Sequence, residues 1–132
     1  MNKQTALAKF LEVSKDELKR GYDKNIFEIG SQEYLILTDK EADKETKEQI
    51  LDLVWASNFS FIRYHLRVDL NESDWKIITD KCESSNNLVL SMIKNKSKFV
   101  SEAISADGRG HFLSGYDGNE NEFDKYFIYR IN

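Results

Sequence analysis

With 132 residues, 40% of them hydrophobic and 12% aromatic, the chain has the length of one domain and the apolar content of a packed core, which argues against disorder. Its 19 basic and 23 acidic side chains are interspersed and sum to −4, which argues against both the basic stripe of a duplex-binding protein and the dense acidic surface of a nucleic-acid mimic. Cys82 is the single cysteine, so an internal disulfide is excluded, no Cys/His cluster has zinc-ligand spacing, and a reducing cytoplasm is expected. The first residues carry no signal-peptide pattern, and no apolar run approaches the roughly 20 residues that span a bilayer.

Ala6, Leu7, Phe10 and Leu11 recur at helical spacing and predict a short opening helix. Ser14 to Glu17 reads as a capping box that launches a single helical turn ending at Gly21. Ile26–Ile29 and Tyr34–Leu37 flank a glycine turn and predict a β-hairpin; the four consecutive apolar residues of its second arm predict a central strand covered on both faces. Thr38 to Glu41 is a second capping box, opening a charged helix that turns apolar from Ile50 to Ala56. A further helix is expected over Asn58–Leu66, with His65 as a core or boundary histidine. Leu70-Asn71-Glu72-Ser73-Asp74-Trp75 has the form of a hydrophobic staple around an Asn71 cap. It predicts a long helix whose apolar stripe runs through Trp75, Ile78, Cys82, Ser85, Val89 and Ile93, with Cys82 as a small buried hydrophobe and Ser84–Asn87 as a polar patch that kinks the helix or faces a cavity. Ser97 is expected to cap a last helix that stops at Asp107-Gly108, after which His111–Leu113 and Tyr126–Ile131 are the predicted strands.

Four of the six glycines fall between Ser105 and Glu120, together with Asp107, Arg109, His111, Tyr116, Asp117, Asn119 and Glu120. This is the candidate partner-binding segment, because loops held by a rigid scaffold are favoured contact sites. Arg109 offers a fork to a carboxylate or phosphate of a partner, or equally to an internal group that pins the chain, and His111 offers a proton donor. The order of elements here is not that of a Walker or Rossmann loop. Asp117 to Glu122 begins like a calcium loop, but its sixth place holds Glu122 instead of glycine and its twelfth holds Ile128 instead of glutamate. A solvated hairpin loop is the expectation there. No nucleophile elbow frames a serine and no carboxylate pair has a distinctive spacing, so no catalytic residue, metal or cofactor is assigned.

The pattern Glu33-Tyr34-Leu35-Ile36-Leu37-Thr38-Asp39 with Glu41-Ala42-Asp43, then Trp55-Ala56-Ser57-Asn58, Lys81-Cys82-Glu83-Ser84 and above all Ala106-Asp107-Gly108-Arg109-Gly110-His111-Phe112-Leu113 through Tyr116-Asp117-Gly118 to Tyr129-Arg130-Ile131-Asn132 resembles a family of small, mostly uncharacterised proteins encoded by bacteriophages, prophages and plasmids. The resemblance covers nearly the whole chain and brings no established activity or catalytic residues. It implies a non-enzymatic protein of the host cytoplasm that binds a host protein, such as a CRISPR effector, a restriction system or another defence or nucleic-acid-processing complex. The second expectation is a nucleic-acid or nucleotide-phosphate module using Arg109, His111 and nearby lysines; a small hydrolase or transferase ranks lowest. The expected fold is one α+β domain over residues 1–132, a small antiparallel sheet of the N-terminal hairpin and the C-terminal strands covered by several helices.

Overall fold

Alternation along the central strands explains how one sheet holds two layers of apolar side chains. In the computed structural model, which describes all 132 residues, Gln32–Thr38 (β3) pairs antiparallel with Tyr126–Arg130 (β5), placing Ile36 opposite Ile128 and Leu35 opposite Tyr129. Because successive side chains point to opposite faces, Tyr34, Ile36, Tyr126 and Ile128 enter one cluster, while Leu35, Leu37, Phe127 and Tyr129 enter another. The first cluster is covered by Lys3–Leu11 (α1) through Ala6, Leu7 and Ala8. Ala42 and Leu113 cover the second. Burial on both faces is therefore real for the strand whose apolar run is unbroken.

The sheet has five antiparallel strands. Lys19–Arg20 (β1) and Ile26–Ile29 (β2) lie to one side of β3, and Asn121–Phe123 (β4) lies beyond β5, in the order β1-β2-β3-β5-β4. The N- and C-terminal hairpins thus join through β3 and β5, and the α+β expectation holds. The Ser14 box is present, although it caps only the 3-10 turn Lys15–Glu17, and the chain enters the sheet as β1 before Gly21. The Thr38 box is also present: Glu41 N–H donates to Thr38 Oγ1 at 3.2 Å and Thr38 N–H to Glu41 Oε1 at 2.9 Å, starting Asp39–Asp52 (α2).

Two compact units divide the chain, Met1–Thr46 with Asp107–Asn132, and Lys47–Ala106. The second is helical, with Phe59–Ile62 (α3), Glu72–Ile78 (α4), Asn86–Met92 (α5) and most of Lys96–Asp107 (α6). Over Asn58–Leu66 the expected helix is one turn, α3, continued by the 3-10 segment Arg63–His65. Asn71 caps α4 as expected, with Asp74 completing the reciprocal bonds, and Trp75 is buried. The long helix does not continue. Thr79 Oγ1 bonds back to Trp75 O at 2.8 Å, the chain turns through Cys82 at φ 53°, and α5 starts only at Asn86.

The polar patch follows this break and ties the start of α5 to a neighbouring turn. Asn86 donates from Nδ2 to Leu51 O at 2.9 Å and accepts from Trp55 N–H at 3.2 Å, so it binds a neighbouring turn of backbone. Cys82, expected in the core, is exposed at the turn. The α6 cap is Asn95, whose Oδ1 accepts from Lys98 N–H at 3.0 Å, in place of Ser97. His65 is buried, as a core or boundary histidine should be. No helix is long and apolar enough to cross a membrane.

β5 contributes Tyr126, Ile128 and Tyr129 to the buried set, each apolar side chain of this kind stabilising by about 1.5–3 kcal/mol. Deleting residues 126–132 is expected to leave β4 and one edge of β3 unpaired and the product insoluble or molten; an unchanged melting transition would contradict this role.

Glu41 predicts a pH dependence. Its partial burial works to raise its pKa, but the Lys3 ammonium at 2.7 Å and the Thr38 amide outweigh that and hold the carboxyl below its ordinary 4.5. A carboxyl depressed in the folded state contributes stability above its unfolded pKa and loses that contribution as pH falls through the folded value. Urea denaturation from pH 7 to pH 3 should therefore show a smaller acid loss of stability in Glu41→Gln than in wild type, and identical pH profiles would refute the linkage.

Candidate functional site

The segment 107–120 is folded by close backbone contact. Gly108, at φ 80°, ends α6 and allows the chain to turn at once into Arg109–Leu113 (α7). His111–Leu113, expected as a strand, is thus helical. Three residues are too few to separate a helical from a strand period, and β4 fills the place beside β5 instead. Gly110 is buried against residues 118–120, where an added Cβ would stand 2.4 Å from Gly118 O. The helix therefore lies flush on the loop that follows it.

Arg109 ties this arrangement to the sheet unit. Its Nη1 donates to Asp39 Oδ1 at 2.8 Å and Asp43 Oδ1 at 2.9 Å, and its Nε donates to Glu120 Oε1 at 2.8 Å. The guanidinium also stacks 4.7 Å from the Phe127 ring centroid, and the side chain is only 11% exposed. Burial works against the charge, yet the bonds to Glu120 and Asp39 prevail and hold the arginine pKa above its ordinary value. The buried Tyr129 hydroxyl donates to the same Glu120 oxygen. Burial and that bond both raise the phenol pKa, so the hydroxyl stays protonated and keeps donating.

A second set of bonds fixes the following turn. Ser114, itself buried, places Oγ 2.7 Å from Arg130 O and 2.9 Å from Asp117 Oδ1. Asp117 also accepts Asn119 N–H at 3.0 Å, an Asx turn, and this amide with the Ser114 hydroxyl lowers the carboxyl pKa. Gly118 N–H returns to Ser114 O at 3.2 Å. Tyr116 projects from the turn with 58% of its surface exposed, and the Arg130 guanidinium lies 3.5 Å from its ring centroid.

The seven predicted residues therefore occupy one continuous segment in two layers. Arg109 lies beneath and bonds Glu120 above it, Asp117 ties the turn to Ser114, and Asp107, His111, Tyr116, Asp117, Asn119 and Glu120 are exposed. His111 packs edge-on against Phe112 at 4.9 Å. Sequence reasoning missed the groups that hold the segment: Asp39, Asp43, Ser114, Phe127, Tyr129 and Arg130. One signal was available, since Asp39 and Asp43 stand four apart and must share a face of α2. Nothing in the spacing told that this face meets Arg109.

Comparison with protein families, curated proteins and solved structures returns no match for this chain.

Arg109→Ala would leave Glu120 and Tyr129 without their cation and strip the cover from Phe127. The expected loss is about 2–3 kcal/mol, less than the ~3–5 kcal/mol of a fully buried pair because Asp39 and Asp43 remain in water. Arg109→Lys should recover only part of it, since an ammonium cannot hold carboxylates on two edges and stack on a ring. Denaturant melts in which both variants match wild type would remove the arginine from this structural role.

Proposed function

We propose that this protein is a non-enzymatic binding protein of mobile-element origin, acting in the host cytoplasm, that modulates or inhibits a host defence or nucleic-acid-processing protein through the exposed layer of segment 107–120. The observation that carries this reading is Tyr116, a large aromatic held exposed over Arg130 on a turn fixed by Ser114, Asp117 and Gly118. Tyrosine and arginine are the side chains that most often dominate protein interfaces, and an anchor already ordered before contact loses little conformational entropy on binding. Asp107, His111 and Asn119 stand around it as a polar rim.

The phosphate-binding alternative is less well supported, because an anion at Arg109 would have to displace Asp39, Asp43 and Glu120. A partner carboxylate faces the same competition. Arg109 thus serves the contact by ordering the turn that presents Tyr116.

Capture from bacterial host lysate tests the reading. Tagged wild type should retain a specific protein partner, and Tyr116→Ala should lose it while melting within about 0.5 kcal/mol of wild type, as exposed substitutions do. Capture unchanged by Tyr116→Ala would reject this surface as the contact.

A further inference from the structure

The helical unit carries a cationic surface that the candidate segment does not use. An antiparallel bridge between Leu66 and Ile93, with Arg67 N–H on Met92 O at 2.7 Å and Lys94 N–H on His65 O at 2.8 Å, holds residues 63–67 against residues 92–94. Arg63 and Arg67 stand in the first stretch and Lys94, Lys96 and Lys98 follow in the second; neither 63–67 nor 94–98 contains an acid. All five cations are exposed. In a chain of net charge −4, this is a local reversal of sign.

A cavity of about 380 Å³ opens here, lined by Tyr64, His65, Lys94, Asn95, Lys98 and Glu102. Its one acid is engaged, since Glu102 Oε2 lies 2.7 Å from His65 Nε2, and neither lysine forms an ion pair with it. His65 is only 8% exposed and is wedged between Phe61 and Phe99, with ring centroids 5.3 and 5.2 Å away, so the floor is rigid. At the rim Tyr64 is 74% exposed, with Arg63 5.4 Å from its ring centroid.

We propose that this pocket and its rim bind single-stranded nucleic acid, with Lys94 and Lys98 on the phosphodiester backbone and a base stacked on Tyr64. Cations that track phosphates beside an exposed ring that takes a base are the recurring parts of such sites. A concave pocket beside the ring suits an unstacked base and not a duplex, whose binding draws on a broader basic field that the acidic chain lacks. An acidic peptide would use the lysines but would leave Tyr64 without a role. The inference is independent of the protein contact proposed for segment 107–120.

Fluorescence anisotropy with a labelled oligo-dT of about 20 nucleotides tests it at several salt concentrations. Binding should weaken as salt rises, and Lys94→Gln with Lys98→Gln should weaken it and flatten the salt dependence by about 0.7 for each lysine. Tyr64→Ala should cost about tenfold with the salt slope unchanged. Both variants change exposed side chains, and circular dichroism checks that they fold. Lys19→Gln with Lys24→Gln removes two exposed lysines of the sheet unit and should have little effect. The proposal is overturned by absence of binding at 50 mM salt, by equal losses in the two lysine pairs, by a Tyr64→Ala variant that binds as wild type, or by polyglutamate competing as well as the oligonucleotide.

Discussion

The Arg109 guanidinium is the constraint on which the arrangement of the sheet unit depends. It is the common partner of the first turns of α2, through Asp39 and Asp43, of the chain entering β4, through Glu120, and of β5, through Phe127. Lysine could not do this, because the contacts come from two edges and one face of a planar cation. The arginine holds together pieces of chain as far apart as 70 residues. Glu120 extends the connection by accepting from buried Tyr129, so a charged cluster at the edge of the core is continuous with the core itself.

Close packing of backbone makes that charge cluster possible. Gly110 lets α7 lie against residues 118–120, and Gly108 lets α6 stop one residue before Arg109. With a side chain at Gly110 the helix would be pushed off the loop and the arginine drawn away from Glu120. The glycines therefore set the geometry in which the ion pairs form, and the exposed layer of Tyr116, His111 and Asn119 inherits its order from them.

Much of this was legible in the sequence, and the parts that were not share a physical cause. The capping boxes at Ser14 and Thr38 and the N-cap at Asn71 are local, and the structure keeps each one. The unbroken run Tyr34–Leu37 marked the central strand because burial on both faces leaves that trace. Errors came where tertiary contacts did not follow a local period. The stripe from Trp75 to Ile93 suggested one helix, but the chain turns at Thr79–Cys82, which leaves Cys82 exposed, and Asn86 starts α5 bonded to Leu51 and Trp55. His111–Leu113 read as a strand because three residues are too few to show a helical period, whereas the edge position went to Asn121–Phe123, too short and polar to advertise itself. The candidate segment was found through its glycines and charges, but whether Arg109 faced inward or outward depended on α2, whose contribution no local pattern encodes.

Strand order has a consequence for how the chain reaches this state. β5 is next to last in the sheet order yet last in the sequence, and it lies between β3 and β4, while the Tyr126 hydroxyl donates to Met1 O at 3.0 Å. During synthesis β3 emerges early with one edge open and waits for a strand made some ninety residues later. The sheet cannot close until that strand has emerged, and by then residues 47–106 are all present. The nascent chain must keep the unpaired edge and apolar faces of β3 from other partners throughout that interval.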